Sequence, residues 1–463
     1  MLTPNRIKEL ILSNPEVCDV SIEIQEDKWI INCVADSEMV DRMEKRQIQV
    51  WGRAWGNAYE NGRKIIKKKP NFDFSGYHSS FNGEEFTYEE MIDWFRSTKE
   101  NLLSIHPKSG RLLELGSGMG MVIHEMRDHC RKIVASDVSQ YAIKKLEATS
   151  EKNKWDNVEI LKGDAKSILN KINCKFDTIV LNTVIQYFPS LIYLDDVLKK
   201  AKQRLNADGA IYIGDIRQQD LLRNFKLAVR YANLSDSADV STLKKQVDND
   251  INNEKEMLYH PIWFHRWAKK NSGIYAITKL RSGEKSPVEM KNYRYDAILR
   301  FFKKPLSSFK YITINNVNDY SELKNILLLG HSAFLIKSIR NGRIADLLQL
   351  ENKYFHLNTS KDKREPIIPA DLAKLAENFG YAVNILCNVE GLSDSFSCAF
   401  LKKNEESQWP SFLADLSKKM ADVKMEKPML YPKYLAAHSK IKNIVYQQLK
   451  EVLPNGSFRL QIS

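Results

Sequence analysis

The run Leu112-Leu113-Glu114-Leu115-Gly116-Ser117-Gly118-Met119-Gly120 joins an apolar stretch and one acid to three glycines at alternate positions. The spacing predicts a buried strand that ends in a tight turn, with a helix opening behind it. Glycine lets a ligand come close to the backbone, because no side chain stands in the way. N–H groups at the start of the following helix could then bind a carboxylate or phosphate. A second apolar run, Ile133-Val134-Ala135-Ser136-Asp137, ends in a carboxylate about twenty residues beyond the turn, the usual offset for a group that accepts ribose hydroxyls. Val138 follows it. A third run ends at Gly163-Asp164-Ala165, where the acid can accept from an adenine amino group and the alanine can pack near the ring. Glu114, Gly116, Ser117, Gly118, Gly120, Asp137, Val138, Gly163, Asp164 and Ala165 thus form a candidate nucleoside-binding set. The plain structural alternatives are a helix cap for Asp137, ahead of Ser139-Gln140-Tyr141, and a turn carboxylate for Asp164.

Elements must hold these residues in place. Residues 106–305 alternate strand and helix, the pattern of a parallel sheet with helices on both faces. Strands are expected at 111–115, 132–136, 157–161, 176–181 and 210–214. Ala276 to Arg281 and Tyr293 to Phe302 would close the sheet as an antiparallel pair. Ahead of this core, residues 1–50 read as a small α/β piece: a short amphipathic helix from Ile7 to Leu12, then a hairpin of Val20–Ile24 and Trp29–Val34. Residues 51–105 are aromatic-rich and mostly helical, a cap. Residues 306–425 form a smaller α/β lobe, with strands near 333–336 and 382–386. In 426–463 a last helix, around Ile441 to Val452, returns to the N-terminal piece.

Composition narrows the class. The chain has 463 residues, room for two or three domains. No apolar run approaches the roughly 18–20 residues that span a bilayer, and the start lacks a signal-peptide apolar region, so a cytoplasmic protein with no membrane role is expected. The six cysteines are scattered without a Cys-x-x-Cys pair and read as reduced core thiols. The net charge of +12 is spread out. Its densest run, Arg63-Lys64-Ile65-Ile66-Lys67-Lys68-Lys69, lacks interleaved aromatics, so nucleic acid is not expected as a partner. A solvated basic face is the simpler reading, and an acidic partner the other.

The glycine turn with Asp137 and Asp164 resembles the class I S-adenosylmethionine (SAM) methyltransferases. The Gly-x-Gly-x-Gly turn behind Glu114 is more similar to these than to the Gly-x-Gly-x-x-Gly of NAD enzymes. The resemblance implies SAM as cofactor and no metal, with its sulfonium against aromatic faces and carbonyls. Asn182-Thr183-Val184-Ile185-Gln186-Tyr187-Phe188-Pro189-Ser190 follows the fourth strand, where ligands of such sheets sit. It closely resembles the methyltransferase domains embedded in nonribosomal peptide synthetases. So do Gly214-Asp215-Ile216-Arg217, the cap segment Phe74 to Gly83, Glu90-Met91-Ile92-Asp93-Trp94, Glu256 to Phe264, Tyr293-Arg294-Tyr295-Asp296, Ile339 to Arg343 and Pro369 to Tyr381. Tyr77 stands where the family usually has tryptophan, Phe81 where it has tyrosine, and His260 where it has aspartate. The resemblance spans roughly 50–425. Ile7 to Ala35 and Ile441 to Pro454 are similar to two parts of the small adenylation subdomain into which such domains are inserted. With no adenylation core in the sequence, the chain reads as a freestanding methyltransferase retaining remnants of that host.

This kinship implies methyl transfer to a nucleophile, most often an amino nitrogen, on an aminoacyl or peptidyl intermediate of secondary metabolism. Asn182 and Gln186 join the cofactor set. An α-amine has a reference pKa near 8, so a weak base suffices to free it. Glu256, Tyr187, Asp215 and His260 are the candidate bases, with Glu256 first because its segment matches a polar position of the family. Arg217 could hold a substrate carboxylate or carbonyl. The basic charge suits an acidic carrier protein. Two rival readings are a methyltransferase of a free small molecule, with an N, O or C acceptor, and a non-catalytic scaffold subunit of an assembly line.

Overall fold

The computed structural model of the protein describes residues 3–14, 17–25, 28–35, 37–62, 73–74, 76–233, 240–303, 306–355, 363–390, 394–424, 437–453 and 458–462. The basic run 63–69 lies outside these. Strands in chain order are β1 Val17–Gln25, β2 Lys28–Ala35, β3 Gly110–Leu115, β4 Cys130–Asp137, β5 Val158–Lys162, β6 Phe176–Asn182 and β7 Leu205–Arg217, followed by β8 Ile274–Leu280, β9 Arg294–Phe301, β10 Ile312–Asn315, β11 Ala333–Arg340, β12 Tyr381–Cys387, β13 Ser395–Lys402 and β14 Phe458–Ile462. Eleven of them form one sheet in the order β10-β11-β13-β12-β8-β9-β7-β6-β3-β4-β5.

The core is the expected α/β class. β3 to β7 are mutually parallel, and β8 and β9 close the set antiparallel. Chain order reverses between β3 and β6, where sheets of this kind bind ligands beyond their carboxyl ends. Helices cover both faces, so Leu112, Leu113, Leu115, Ile179, Val180 and Leu181 are all buried, which is why these strands read as continuous apolar runs.

Three features depart from the sequence expectation. The strands of 306–425 do not make a sheet of their own. β12 joins β8 through Leu386 and Lys279, and the large sheet simply continues; the lobe keeps a separate core around Phe334, Phe396 and Phe400. After the first helix, α1 (Pro4–Leu12), a 26-residue helix, α2 (Ser37–Gly62), runs through the point drawn between the N-terminal piece and the cap. And β14, not foreseen, adds parallel to β2, so β1, β2 and β14 form a second sheet. Its core holds Ile7, Ile11, Ile31 and Cys33 beside Val445 and Leu449 of the C-terminal helix, with Val40 of α2 packed against them. Of the cysteines, Cys33, Cys130, Cys387 and Cys398 are buried as expected, but Cys18 is exposed and Cys174 half-buried.

The cap's second helix, Tyr88–Ile105, starts with a capping box: Thr87 Oγ1 accepts from the Glu90 N–H while Glu90 accepts from the Thr87 N–H. It packs beside β7.

Candidate active site

Beyond the carboxyl ends of β3, β4 and β6 lies a cleft of about 990 Å³. Its walls include Glu114, Gly116, Ser117, Gly118, Asp137, Val138, Gly163, Asp164, Ala165 and Asn182. The three turn glycines all have positive φ (86°, 50° and 87°), a region side chains disfavour. A Cβ on Gly116 would stand 2.4 Å from Val184 Cγ2, and one on Gly118 2.8 Å from the Tyr59 hydroxyl.

Four N–H groups of the turn are already engaged within the protein. The N–H groups of Gly116 and Ser117 donate to the Ser136 carbonyl at 2.7 and 2.8 Å, Gly118 to Asp137 at 2.8 Å, and Gly120 to Ser117. The helix behind it, Met121–Met126, is a short one. The glycines give space, and carboxylates stand along it. Asp137 Oδ2 holds the Gly118 N–H and Oδ1 the Ser139 N–H at 2.7 Å. Ser139, not Asp137, caps the next helix. Burial pushes the Asp137 carboxyl above its usual range, although those N–H groups pull the other way. Asp164 is a helix cap, accepting from the Ser167 N–H at 3.1 Å and the Tyr193 hydroxyl at 3.0 Å. Both bonds fall on Oδ1, and the residue still lines the cleft. Asn182 accepts from Thr98 at 3.3 Å.

Glu114 is buried at the end of β3, and its Oε2 has no hydrogen-bond partner among the described residues. Burial, then the neighbouring Asp137 charge, raises its carboxyl well above the ordinary range. Leaving a buried acceptor unpaired is costly. A cleft that offers an orphaned carboxylate, a second carboxylate fixed by the turn, and space that a Cβ would fill fits a ligand carrying an ammonium and a ribose.

Sequence reading missed most of the aromatic wall. Trp51, Trp55 and Tyr59 recur every fourth residue on α2 and face the cleft; that spacing was the available signal. Trp51 and Trp55 lie 4.6 and 5.6 Å from Tyr187, ring to ring, and Trp55 is 5.9 Å from Tyr77. Close approach of α2 rests on Gly52 and Gly56, whose added Cβ atoms would come within 3.1 Å of Val138 and 3.2 Å of Ser139.

A second cavity of about 1030 Å³ adjoins the first. Trp55, Tyr77, Thr183 and Tyr187 line both. Its other walls are charged. Arg217 donates to Glu254 through both terminal nitrogens at 3.0 Å and to Glu256 at 2.8 Å, and Lys226 pairs with Glu254 at 2.9 Å. Burial raises the Glu254 carboxyl, but Arg217 and then Lys226 outweigh it and hold it well below the usual range. Burial, with smaller contributions from the Glu256 and Tyr77 charges, pushes the Tyr187 phenol far up.

Three expected site residues lie elsewhere. Asp215 is wholly buried behind the second cavity, at φ 60° in a bulge of β7. It accepts from Trp94 Nε1 at 2.9 Å and is paired with Arg294, so no acceptor proton can reach it. His260 is buried, with Nε2 2.9 Å from Asp220 and Nδ1 accepting from the Ile262 N–H; it orders a helix start and lines neither cavity. Gln186 is 1% exposed beneath the cleft and is not on its surface. Glu256, Arg217 and Tyr187 are brought together.

Residues 106–273 match a family model described as "Methyltransferase domain". Chondramide synthase cmdD of Chondromyces crocatus is 33% identical over 233 residues, covering 50% of this chain and 6% of that protein. A probable non-canonical nonribosomal peptide synthetase, CymA, of Salinispora arenicola is 28% identical over 298 residues, covering 64% of this chain and 4% of that protein. This chain therefore spans a small fraction of the length of the curated relatives it matches. Among solved structures, N-methyltransferase NodS from Bradyrhizobium japonicum WM9 with S-adenosyl-L-homocysteine aligns at 14% identity and a TM-score of 0.31, over 53% of this chain and 98% of that one. The chain carries a SAM-dependent methyltransferase domain of class I, distantly similar to stretches of nonribosomal peptide synthetases. Among the described residues no helix is long and apolar enough to cross a membrane.

Proposed function

We propose that the protein methylates an amino nitrogen of an aminoacyl or peptidyl acceptor, carried on an acidic carrier protein of nonribosomal peptide-type metabolism. One observation carries the reading: a donor cleft and a charged acceptor chamber share the wall Trp55, Tyr77, Thr183 and Tyr187. When bound, SAM supplies a methyl group on a sulfonium whose departure leaves a neutral thioether. Asp137 would accept from its ribose hydroxyls, Glu114 would meet its ammonium, and Asp164 would accept from its adenine amino group. The faces of Trp51, Trp55 and Tyr187 suit a cationic sulfur and keep water from it.

On the acceptor side, chemistry asks for orientation and one proton. An ammonium has no lone pair, so it must lose a proton before it attacks. Glu256 Oε2 is bonded to Arg217, which fixes the carboxylate and leaves Oε1 to receive that proton. The shared rings stand between the two cavities, and positioning of this kind supplies much of the rate.

The test is direct. Incubate the protein with labelled SAM, aminoacyl carrier proteins and the matching free amines, and locate the methyl by mass spectrometry. Label on nitrogen of the carrier-bound acceptor supports the proposal. Label on oxygen or carbon, or on free acceptors alone, replaces it with the small-molecule reading. Donor binding with no transfer to any acceptor replaces it with the scaffold reading.

A further inference from the structure

Among the described residues, the acceptor chamber holds one acid to which no cation is bonded. Its lining carboxylates are Glu254, Glu256 and Glu289, and its lining lysine and arginines are Lys226, Arg217 and Arg294. Arg217 is taken by Glu254 and Glu256, and Lys226 by Glu254. Arg294 is bonded to Asp215, which lies behind the wall and not on it. Glu289 is left. It is 4% exposed, and among the described residues its hydrogen bond is from the Ser80 N–H to Oε1, at 3.0 Å, with no cation bonded to it. Burial acts most on Arg294, and among the charges around it Glu289 ranks behind Asp215, Glu256 and Arg217.

The fold goes to some length to put this acid there. Asp93, on the Tyr88–Ile105 helix, accepts from the Lys285 and Ser286 N–H groups at 2.8 and 2.9 Å and from the Ser286 hydroxyl at 3.1 Å. These bonds pin the turn at Gly283, whose φ is +113° and whose added Cβ would sit 2.7 Å from Asp93 Oδ2. Pro287 then opens the short helix Val288–Asn292 that carries Glu289. The next residue on the Tyr88–Ile105 helix, Trp94, bonds Asp215 and so holds the partner of Arg294. One helix therefore fixes two walls of the chamber.

A carboxylate this deep, with no cation bonded to it among the described residues, gains from a cation that arrives with the substrate. We infer that Glu289 is a specificity-determining residue that binds the cationic amino group of the acceptor, so that the chamber selects ammonium-bearing acyl groups over their hydroxyl counterparts. This rests on the reading of the second cavity as the acceptor chamber. Glu256, tied to Arg217, then takes the proton, and Glu289 sets which acceptor enters.

The probes are alanyl and lactyl N-acetylcysteamine thioesters, which differ in an amine against a hydroxyl. Their affinities are measured by calorimetry with S-adenosylhomocysteine present. The wild-type protein is expected to bind the alanyl probe about tenfold or more tightly than the lactyl one, as one charge-assisted bond provides. Glu289→Gln still accepts from the Ser80 N–H; it should lose that preference while keeping its affinity for S-adenosylhomocysteine. Glu289→Asp keeps the charge and should retain part of it. A wild type with no preference overturns the inference, and so does a Glu289→Gln or Glu289→Asp protein whose preference does not follow the charge. A wild type that prefers the amine yet transfers no methyl to it sinks the proposed reaction and leaves the cation site standing.

Discussion

In the proposed donor cleft the backbone contacts that place Asp137 and Asp164 join residues close in the chain: Gly118 to Asp137, Ser139 to Asp137, Ser167 to Asp164. In the acceptor chamber they join distant ones: Arg217 to Glu254 and Glu256, Ser80 to Glu289, Trp94 to Asp215. The polar side of the first region is built from turns at the ends of parallel strands, where backbone geometry dictates residue type, and α2 adds its aromatic wall. The second is built from ion pairs between segments that meet only after folding. A donor common to many reactions can be held by a fixed local frame, whereas an acceptor wall assembled from separate segments can change one segment at a time.

Asp137→Ala breaks the comparison hardest. It removes the acceptor for two N–H groups and for the ribose at once, and is expected to lower SAM affinity about 100-fold or more by calorimetry. Binding of the alanyl probe should change little if the regions are as separate as the contacts suggest. Next comes Glu256→Gln, expected to cut turnover about 10- to 100-fold while SAM affinity stays within twofold. Equal turnover at neutral pH would remove Glu256 from the reaction.

Acidity should sharpen the contrast. The carboxyls of Glu114 and Asp137 are raised by burial, so each takes a proton at a higher pH than an exposed acid. Both must be ionised to serve the donor, so SAM affinity should fall as the pH drops, beginning above the usual carboxylate range. The sign is the reverse for folding without ligand: an acid whose folded pKa is raised costs stability while ionised, and that cost is relieved as the pH falls. A calorimetric affinity that stays flat from pH 8 down to about 5 would refute the assignment. The smallest effect belongs to His260→Asn. It should leave turnover within about twofold and cost about 1 kcal/mol of stability by thermal unfolding, through the lost Asp220 and Ile262 contacts.

The same division explains what the sequence disclosed. The strands of the core were legible because burial on both faces leaves unbroken apolar runs, and the glycine turn because positive φ at three positions restricts residue choice. The residues proposed to hold the donor follow from that turn and a fixed offset. Asp215 and His260 were misread for one reason: an acid or histidine beyond a strand has the same letter whether it faces a cavity or a buried partner such as Arg294 or Asp220. Glu289 gave no signal, since its position depends on Asp93, almost two hundred residues earlier. β14 and the continuation of the sheet through β12 were hidden too, because pairing of distant strands leaves no periodicity of its own.

α2 is 26 residues, about 39 Å at 1.5 Å per residue. Near one end, Val40 is clamped by the small sheet and the C-terminal helix; toward the other stand Trp51, Trp55 and Tyr59. A rod gripped at its base turns a small tilt there into a larger sweep at its tip. Shaving the methyl-side of Val445 or Leu449, far from any reacting atom, is therefore a way to loosen the roof over the donor without touching it.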